Sequence, residues 1–296
     1  MQTHPRDGRV LTPLLTSAPV IDLPAPAAAL RPLWAPVGAR TNGRLEVDGK
    51  FFARRGARFP LHGVTYGTFM PRPGDGALVP PAEQLRCDLA AIAGSGFTVV
   101  RTYTEPPADM VSMAEEHDLQ ILAGIYFSDW RDLVGSSRRE TRRVMAEARE
   151  TVRAAARRLA RSEHVFALCL GNEIPADVVR WFGTATVAGA LEELAHVVHD
   201  EAPELLVTYA NYPTAEYLEL DTLDFLTFNV FLEDRKDLRR YLTKLQHIAG
   251  DRPLVLGEVG LHAEEGAVGE RRQAEVLDWQ LEAALERGVA GTCIFS

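Results

Sequence analysis

A chain of 296 residues is long enough for one large α/β domain, a single barrel of that class taking about 250 residues. Hydrophobic residues make up 46% and charged residues 25%, an ordinary globular balance, and the formal charge of −9 argues against a nucleic-acid binder, which carries a basic excess. The three cysteines, Cys87, Cys169 and Cys293, form no CxxC pair and suggest no disulfide or zinc framework; within their apolar runs Cys169 and Cys293 read as small core residues.

Residues 1–40 are rich in Pro and Ala, lack periodicity, and read as a tail or linker. They do not show the basic, then apolar, then small-residue order of an export signal. The chain has no run of about 18 apolar residues, so a cytoplasmic protein is expected. The main domain is read as 41–296. It opens with RLEVDGKFFARRGARFP, where turn signals at Asp48-Gly49 and Arg55-Gly56 predict a short β-hairpin.

From Leu61 onward apolar runs alternate with helical patterns. Strands are predicted at 61–67, 97–103, 119–127, 165–173, 205–211, 224–231, 253–260 and 289–296. Helices are predicted over 81–94, 107–117, 138–162, 184–201, 235–249 and 268–287, with room for only a turn or two of helix between the fifth and sixth strands. Runs apolar on both faces are typical of parallel strands covered by helices. Eight βα units favour a closed (β/α)₈ TIM barrel over an open sheet. The helix at 138–162 carries nine arginines, yet Val144, Ala148, Val152, Ala155 and Leu159 make one apolar stripe, so the arginines form a solvated outer face. The eighth strand runs to Ser296 with no helix after it. The expectation is therefore a barrel truncated after strand eight and belonging to a longer protein.

Cleaving a glycosidic bond needs two carboxyl groups flanking it, one to protonate the leaving oxygen and one to attack the anomeric carbon or activate water. In a barrel such groups belong at the C-terminal ends of strands. Two glutamates meet that placement, Glu173 in VFALCLGNEIP and Glu258 in RPLVLGEVG. A carboxylate at the end of a buried apolar strand is costly unless it faces a polar cavity or a partner. Either glutamate alone could belong to a structural ion pair; on strands four and seven together they form a candidate catalytic pair. Aromatic side chains near strand ends, Tyr66, Tyr103, Tyr126, Trp130 and Phe231 among them, are candidate sugar platforms, with Tyr66 and Trp130 the best placed.

GNE ending strand four and GEVG ending strand seven resemble the signatures of clan A glycoside hydrolases, nearest to the family 2 and family 5 barrels. The likeness extends over residues 44–296: FFARRGARFPLHGVTYG is similar to the family's entry into strand one, and GFTVVRTYTEPP to its strand two. The resemblance implies retention of configuration, with Glu173 as acid/base, Glu258 as nucleophile and no metal or organic cofactor. It also implies that Asn172 binds the sugar 2-hydroxyl and that Arg101 holds Glu258 ionised, because a nearby cation lowers a carboxylate pKa. Asn229 faces the same site by this reading. The pattern departs at strand six, where the family places a tyrosine against the nucleophile and FLTFNVFLED offers Phe231.

The function expected is hydrolysis or transglycosylation of β-linked glycosides or glucans, the two sharing one covalent intermediate. The partners expected are a carbohydrate substrate and, by likeness to barrels fused to family 2 glycosyltransferases, a downstream glycosyltransferase domain. The alternative is a non-catalytic carbohydrate-binding or accessory barrel of a polysaccharide-synthesis protein. An isomerase or aldolase is disfavoured: the chain has three lysines, Lys50, Lys236 and Lys244, none in a strand core.

Overall fold

The computed structural model describes residues 43–127, 129–262 and 266–295. The Pro/Ala-rich segment 1–40, read as a tail or linker, lies outside them. The entry segment forms a three-stranded antiparallel sheet rather than a single hairpin: β1 (Leu45–Asp48), β2 (Phe51–Arg54) and β3 (Ala57–Arg58), in the order β1-β2-β3. Both turns fall where the Asp-Gly and Arg-Gly signals lie, with Gly49 and Gly56 at positive φ, which glycine adopts without side-chain penalty.

Eight parallel strands follow and close on themselves: β4 (Leu61–Thr65), β5 (Val99–Arg101), β6 (Gln120–Gly124), β7 (Val165–Asn172), β8 (Leu206–Asn211), β9 (Leu226–Asn229), β10 (Leu254–Val259) and β11 (Gly291–Ile294). The seam closes β11 on β4, with Gly291 opposite Leu61 and Cys293 opposite Gly63. The close approach there needs glycine, since a Cβ at Gly63 would meet the Cys293 sulfur at 2.5 Å. Seven α-helices occur among the described residues: α1 (Ala82–Gly94), α2 (Ala108–Glu116), α3 (Arg138–Leu159), α4 (Ala176–Phe182), α5 (Thr184–Glu201), α6 (Arg235–Ala249) and α7 (Ala267–Glu286). Between β8 and β9 there is only a 3₁₀ turn, Pro213–Ala215. None of the described helices is long and apolar enough to cross a membrane.

The strands feed two apolar layers by alternation. Val99, Leu122, Ala167, Cys169, Val255 and Cys293 join the barrel interior. Val100, Ile121, Ala123, Leu168, Leu170 and Leu256 face the helices. Phe52 of β2 is fully buried under the barrel, edge-on to Phe166 (6.0 Å) and Phe225 (5.2 Å), so the entry sheet plugs the end opposite the candidate site. Arg54 ties the same sheet to Asp118 just ahead of β6 at 2.8 Å. Helix α3 starts at Ser137, whose hydroxyl accepts from Glu140 N at 3.2 Å, and buries the stripe of small and aliphatic residues read from the sequence. Several of its arginines pair outward with Glu140, Glu147, Glu193, Glu201 and Glu105.

One outer contact carries a pH signature. His199 Nε2 on α5 lies 2.9 Å from Asp224 Oδ2, which also accepts from Val207 N at 2.7 Å. The hydrogen bond to Asp224 raises the His199 pKa against partial burial. A raised folded-state pKa means the pairing stabilises below about pH 6.5, the unfolded histidine value, and that this contribution is lost as pH rises through the folded value. His199→Gln is therefore expected to lower the melting temperature more at pH 5.5 than at pH 9. Equal losses at both would remove the charge from the account.

Candidate active site

Glu173 and Glu258 both leave their strands through a break in register. In β7 the pairing with β8 shifts between Cys169 and Asn172, and Gly171 takes φ 149°. The chain then places Glu173 at φ 50°, a left-handed conformation that costs a side-chain-bearing residue about 1–2 kcal/mol. In β10 the pairing with both β9 and β11 shifts after Leu256. Alternation from the inward Val255 would turn Glu258 outward; the bulge re-aims it into the barrel mouth. Gly257 makes this possible, because a Cβ there would stand 2.5 Å from Thr227 and 3.0 Å from Arg101 Nη1. Thus each "Gly-x-Glu" or "Gly-Glu" ending in the sequence is a device for turning a carboxyl inward.

Arg101, at the end of β5 and 1% exposed, is the hub. Its Nη1 donates to Gly257 O at 2.6 Å, Glu258 Oε1 at 3.0 Å and Asn229 Oδ1 at 3.1 Å, and its Nη2 to Asn172 Oδ1 at 2.6 Å. Asn229, ending β9, turns its amide nitrogen toward both carboxyls, 2.9 Å from Glu173 Oε1 and 2.9 Å from Glu258 Oε1. The same nitrogen lies 3.0 Å from Asn172 Oδ1. The two facing carboxyl oxygens are therefore no more than twice 2.9 Å apart.

The sequence reading expected Arg101 to hold Glu258 below the ordinary carboxylate range. The balance runs the other way: burial pushes the Glu258 pKa up, and although Arg101 and the Tyr103 hydroxyl oppose the shift, Glu173 adds to it. Arg101 itself stays cationic. Burial disfavours its charge, but the surrounding acidic groups, among them Glu258, outweigh that and raise its pKa.

Five of the residues singled out in the sequence, Arg101, Asn172, Glu173, Asn229 and Glu258, come together in one hydrogen-bonded cluster. Trp130 is buried, edge-on to Phe182 at 5.7 Å, and lines an adjoining cavity of about 240 Å³ together with Tyr103, Asp129, Arg131, Asn172 and Glu173. Tyr66 stands apart: its hydroxyl donates to Asp88 Oδ2 at 2.7 Å and its ring packs on Phe69, outside that cavity. Phe231 is half exposed and edge-on to Phe295 at 5.7 Å. The hydroxyl missing from strand six comes instead from strand two. Tyr103 donates to Glu258 Oε1 at 3.0 Å. The signal was present in the sequence, since Tyr103 lies two residues after Arg101 and so follows the same inward period.

That contact has a measurable consequence. Tyr103 stabilises the charged form of Glu258, so Tyr103→Phe should raise the Glu258 pKa further. If Glu258 must be ionised to react, the acid limb of kcat/KM moves to higher pH, by about one unit for a hydrogen bond to a charge worth roughly 1.5 kcal/mol. A pH–rate profile with an unmoved acid limb would show that the hydroxyl does not act on Glu258.

No family model and no curated protein matches the chain, but solved structures match its fold. A β-glucuronidase 2 from Bacteroides uniformis, covalently bound to cyclophellitol-6-carboxylate aziridine, aligns over 86% of this chain with TM-score 0.67 and 14% identity. A GH2 β-galacturonidase from Eisenbergiella tayi, bound to galacturonate, aligns over 86% with TM-score 0.70 and 16% identity. A β-glucuronidase from Ruminococcus gnavus in complex with D-glucuronic acid aligns over 84% with TM-score 0.67 and 14% identity. The chain shares its barrel fold with GH2 glycosidases. It spans 32%, 46% and 45% of those three chains, and hence less than half of each.

Proposed function

We propose that this chain is a retaining β-glycosidase barrel working by double displacement. The observation that carries the reading is the single Asn229 amide bridging Glu173 and Glu258. Two carboxyls that close suit a pair spaced about 5–5.5 Å apart, which leaves no room for a water between carboxylate and anomeric carbon, as the wider spacing of inverting enzymes does. The shared fold with GH2 glycosidases supports the same class of reaction.

In the first step Glu258 attacks the anomeric carbon while Glu173 gives a proton to the departing oxygen, and a covalent glycosyl-enzyme forms. Arg101 and Tyr103 keep the attacking oxygen charged and oriented despite its burial. Asn172 is exposed beside the acid and offers its amide to a sugar hydroxyl, a contact that strengthens as the ring distorts. In the second step Glu173 takes a proton from the acceptor, which attacks the intermediate from the same face. Water as acceptor gives hydrolysis; a second sugar gives transglycosylation. Proton NMR during hydrolysis of a β-aryl glycoside tests the reading. The β-hemiacetal should accumulate first and then mutarotate, whereas first appearance of the α-anomer would overturn double displacement.

A further inference from the structure

The stretch of chain that carries Glu173 is held from one side. The register of β7 against β8 has already shifted there, and every backbone N–H that residues 173–176 possess is received by β8 or by the turn that follows it. Glu173 N donates to Ala210 O at 2.9 Å, Ile174 N to the Tyr209 hydroxyl at 2.8 Å and Ala176 N to the Tyr212 hydroxyl at 3.0 Å. Pro175 has no N–H to place. Two of the three acceptors are thus tyrosine side chains. Tyr209 is 1% exposed, and its ring lies along Gly171, where a Cβ would stand 3.5 Å from it. Tyr212 is fixed in turn by the buried Asn211, whose Oδ1 accepts from Tyr212 N at 2.8 Å and whose Nδ2 donates to Ala215 O at 3.0 Å.

Resting on the glycosidase reading, we infer that Tyr209 and Tyr212 are positioning residues that hold the acid/base in its left-handed conformation. Glu173 takes φ 50°, and a residue in so sparsely populated a region stays there only when its surroundings over-determine it. The Glu173 carboxyl accepts from the neutral amide of Asn229, which it shares with Glu258 and Asn172, so the backbone supplies much of the hold. Ile174 is buried, and without the Tyr209 hydroxyl its N–H would be left with no acceptor, which is costly for a buried donor. The peptide plane bearing that N–H begins at the Glu173 Cα. Turning it toward a new partner therefore swings the carboxyl away from the leaving oxygen. Tyr209 packs in the helix-facing layer and neither tyrosine lines the cavity beside Glu173, so both act through the backbone and not by touching the sugar. Their effect falls on proton transfer and spares attack by Glu258, which is carried by β10.

The test separates proton transfer from nucleophilic attack. On a glycone that the wild-type chain turns over, Tyr209→Phe should lower kcat/KM for an alkyl glycoside about tenfold more than for a dinitrophenyl glycoside, because only the alkyl leaving group needs the proton. With the dinitrophenyl substrate kcat should fall as well, since the second step uses Glu173 as base, and added azide, which needs no base, should restore it. Tyr212→Phe should show the same pattern more weakly, and it decides the matter if the Tyr209 variant does not fold, because Tyr212 is only half buried. Equal losses on both substrates, or no loss in either variant, would overturn the positioning role, as would a lowered kcat that azide leaves unmoved. The anomer first released by the wild type keeps the two claims apart. Retention with equal losses overturns the positioning role alone, whereas inversion, or no turnover of any glycoside, overturns the glycosidase reading and the positioning role with it.

Discussion

Replacing Glu258 by Gln should abolish turnover, with kcat falling on the order of 10⁵-fold and no glycosyl-enzyme trapped by a slow fluorosugar. The geometry leaves no substitute nucleophile at the same point. Glu173→Gln should behave differently. The first step needs proton donation only when the leaving group is poor, so kcat/KM for a dinitrophenyl glycoside should fall little while that for an alkyl glycoside falls about 10²–10⁴-fold. Azide should rescue Glu173→Ala and yield a β-glycosyl azide, because a small anion can use the space of the missing carboxylate. Mass spectrometry of the trapped enzyme and NMR of the azide product decide the two roles independently. If both variants turn over an established substrate at the wild-type rate, the assignment is wrong.

Arg101→Ala should unfold the barrel more readily than any change at the carboxyls. The side chain is almost wholly buried, and its removal leaves Glu258 in the interior without its cation, takes the guanidinium donor from Gly257 O, and leaves Asn172 Oδ1 with only the Asn229 amide. Breaking one partner of a buried ion pair costs about 3–5 kcal/mol, a large part of the roughly 5–15 kcal/mol that holds a domain folded. Lysine is no rescue, since one ammonium cannot reach four acceptors held in a planar fork. The decisive comparison is the double variant Arg101→Met with Glu258→Gln. Removing both charges together should recover most of the lost urea midpoint while leaving the protein inactive. A double variant as unstable as Arg101→Ala would mean that shape at this position, rather than charge pairing, is what matters.

How far the sequence carried depended on whether a feature was local. Strand runs such as VFALCLG and helices with a clear stripe, such as α3 and α6, were legible because burial on one or both faces is written into neighbouring residues. Helix α4 was not expected: seven residues framed by Pro175 and Gly183 give too short a period to detect. The third strand of the entry sheet is two residues long and has no pattern of its own. The same rule divides the site. Glu173 and Glu258 stand out because a carboxylate ending an apolar run demands a reason. The role of Asn229 required the register of β9 against β10, which pairs it with Glu258. Tyr66 looked like a platform because its partner Asp88 lies 22 positions away on α1. The sign of the Glu258 shift was misjudged for a related cause: the cation was visible in the sequence, but the depth of burial that outweighs it was not.

The left-handed backbone of Glu173 gives the residue two opposed requirements. The fold is best served there by glycine, which adopts φ near 50° without steric penalty, and reaction is best served by a carboxyl that glycine lacks. The variant Glu173→Gly is thus a sensor of what has shaped this position. It should melt higher than Glu173→Ala, because only the alanine keeps a Cβ in the unfavourable region. A lineage in which the barrel had become a mere scaffold would meet no obstacle in drifting to glycine and gaining that stability. A glutamate in this left-handed position is what the proposed reaction asks for and what the backbone alone would not choose.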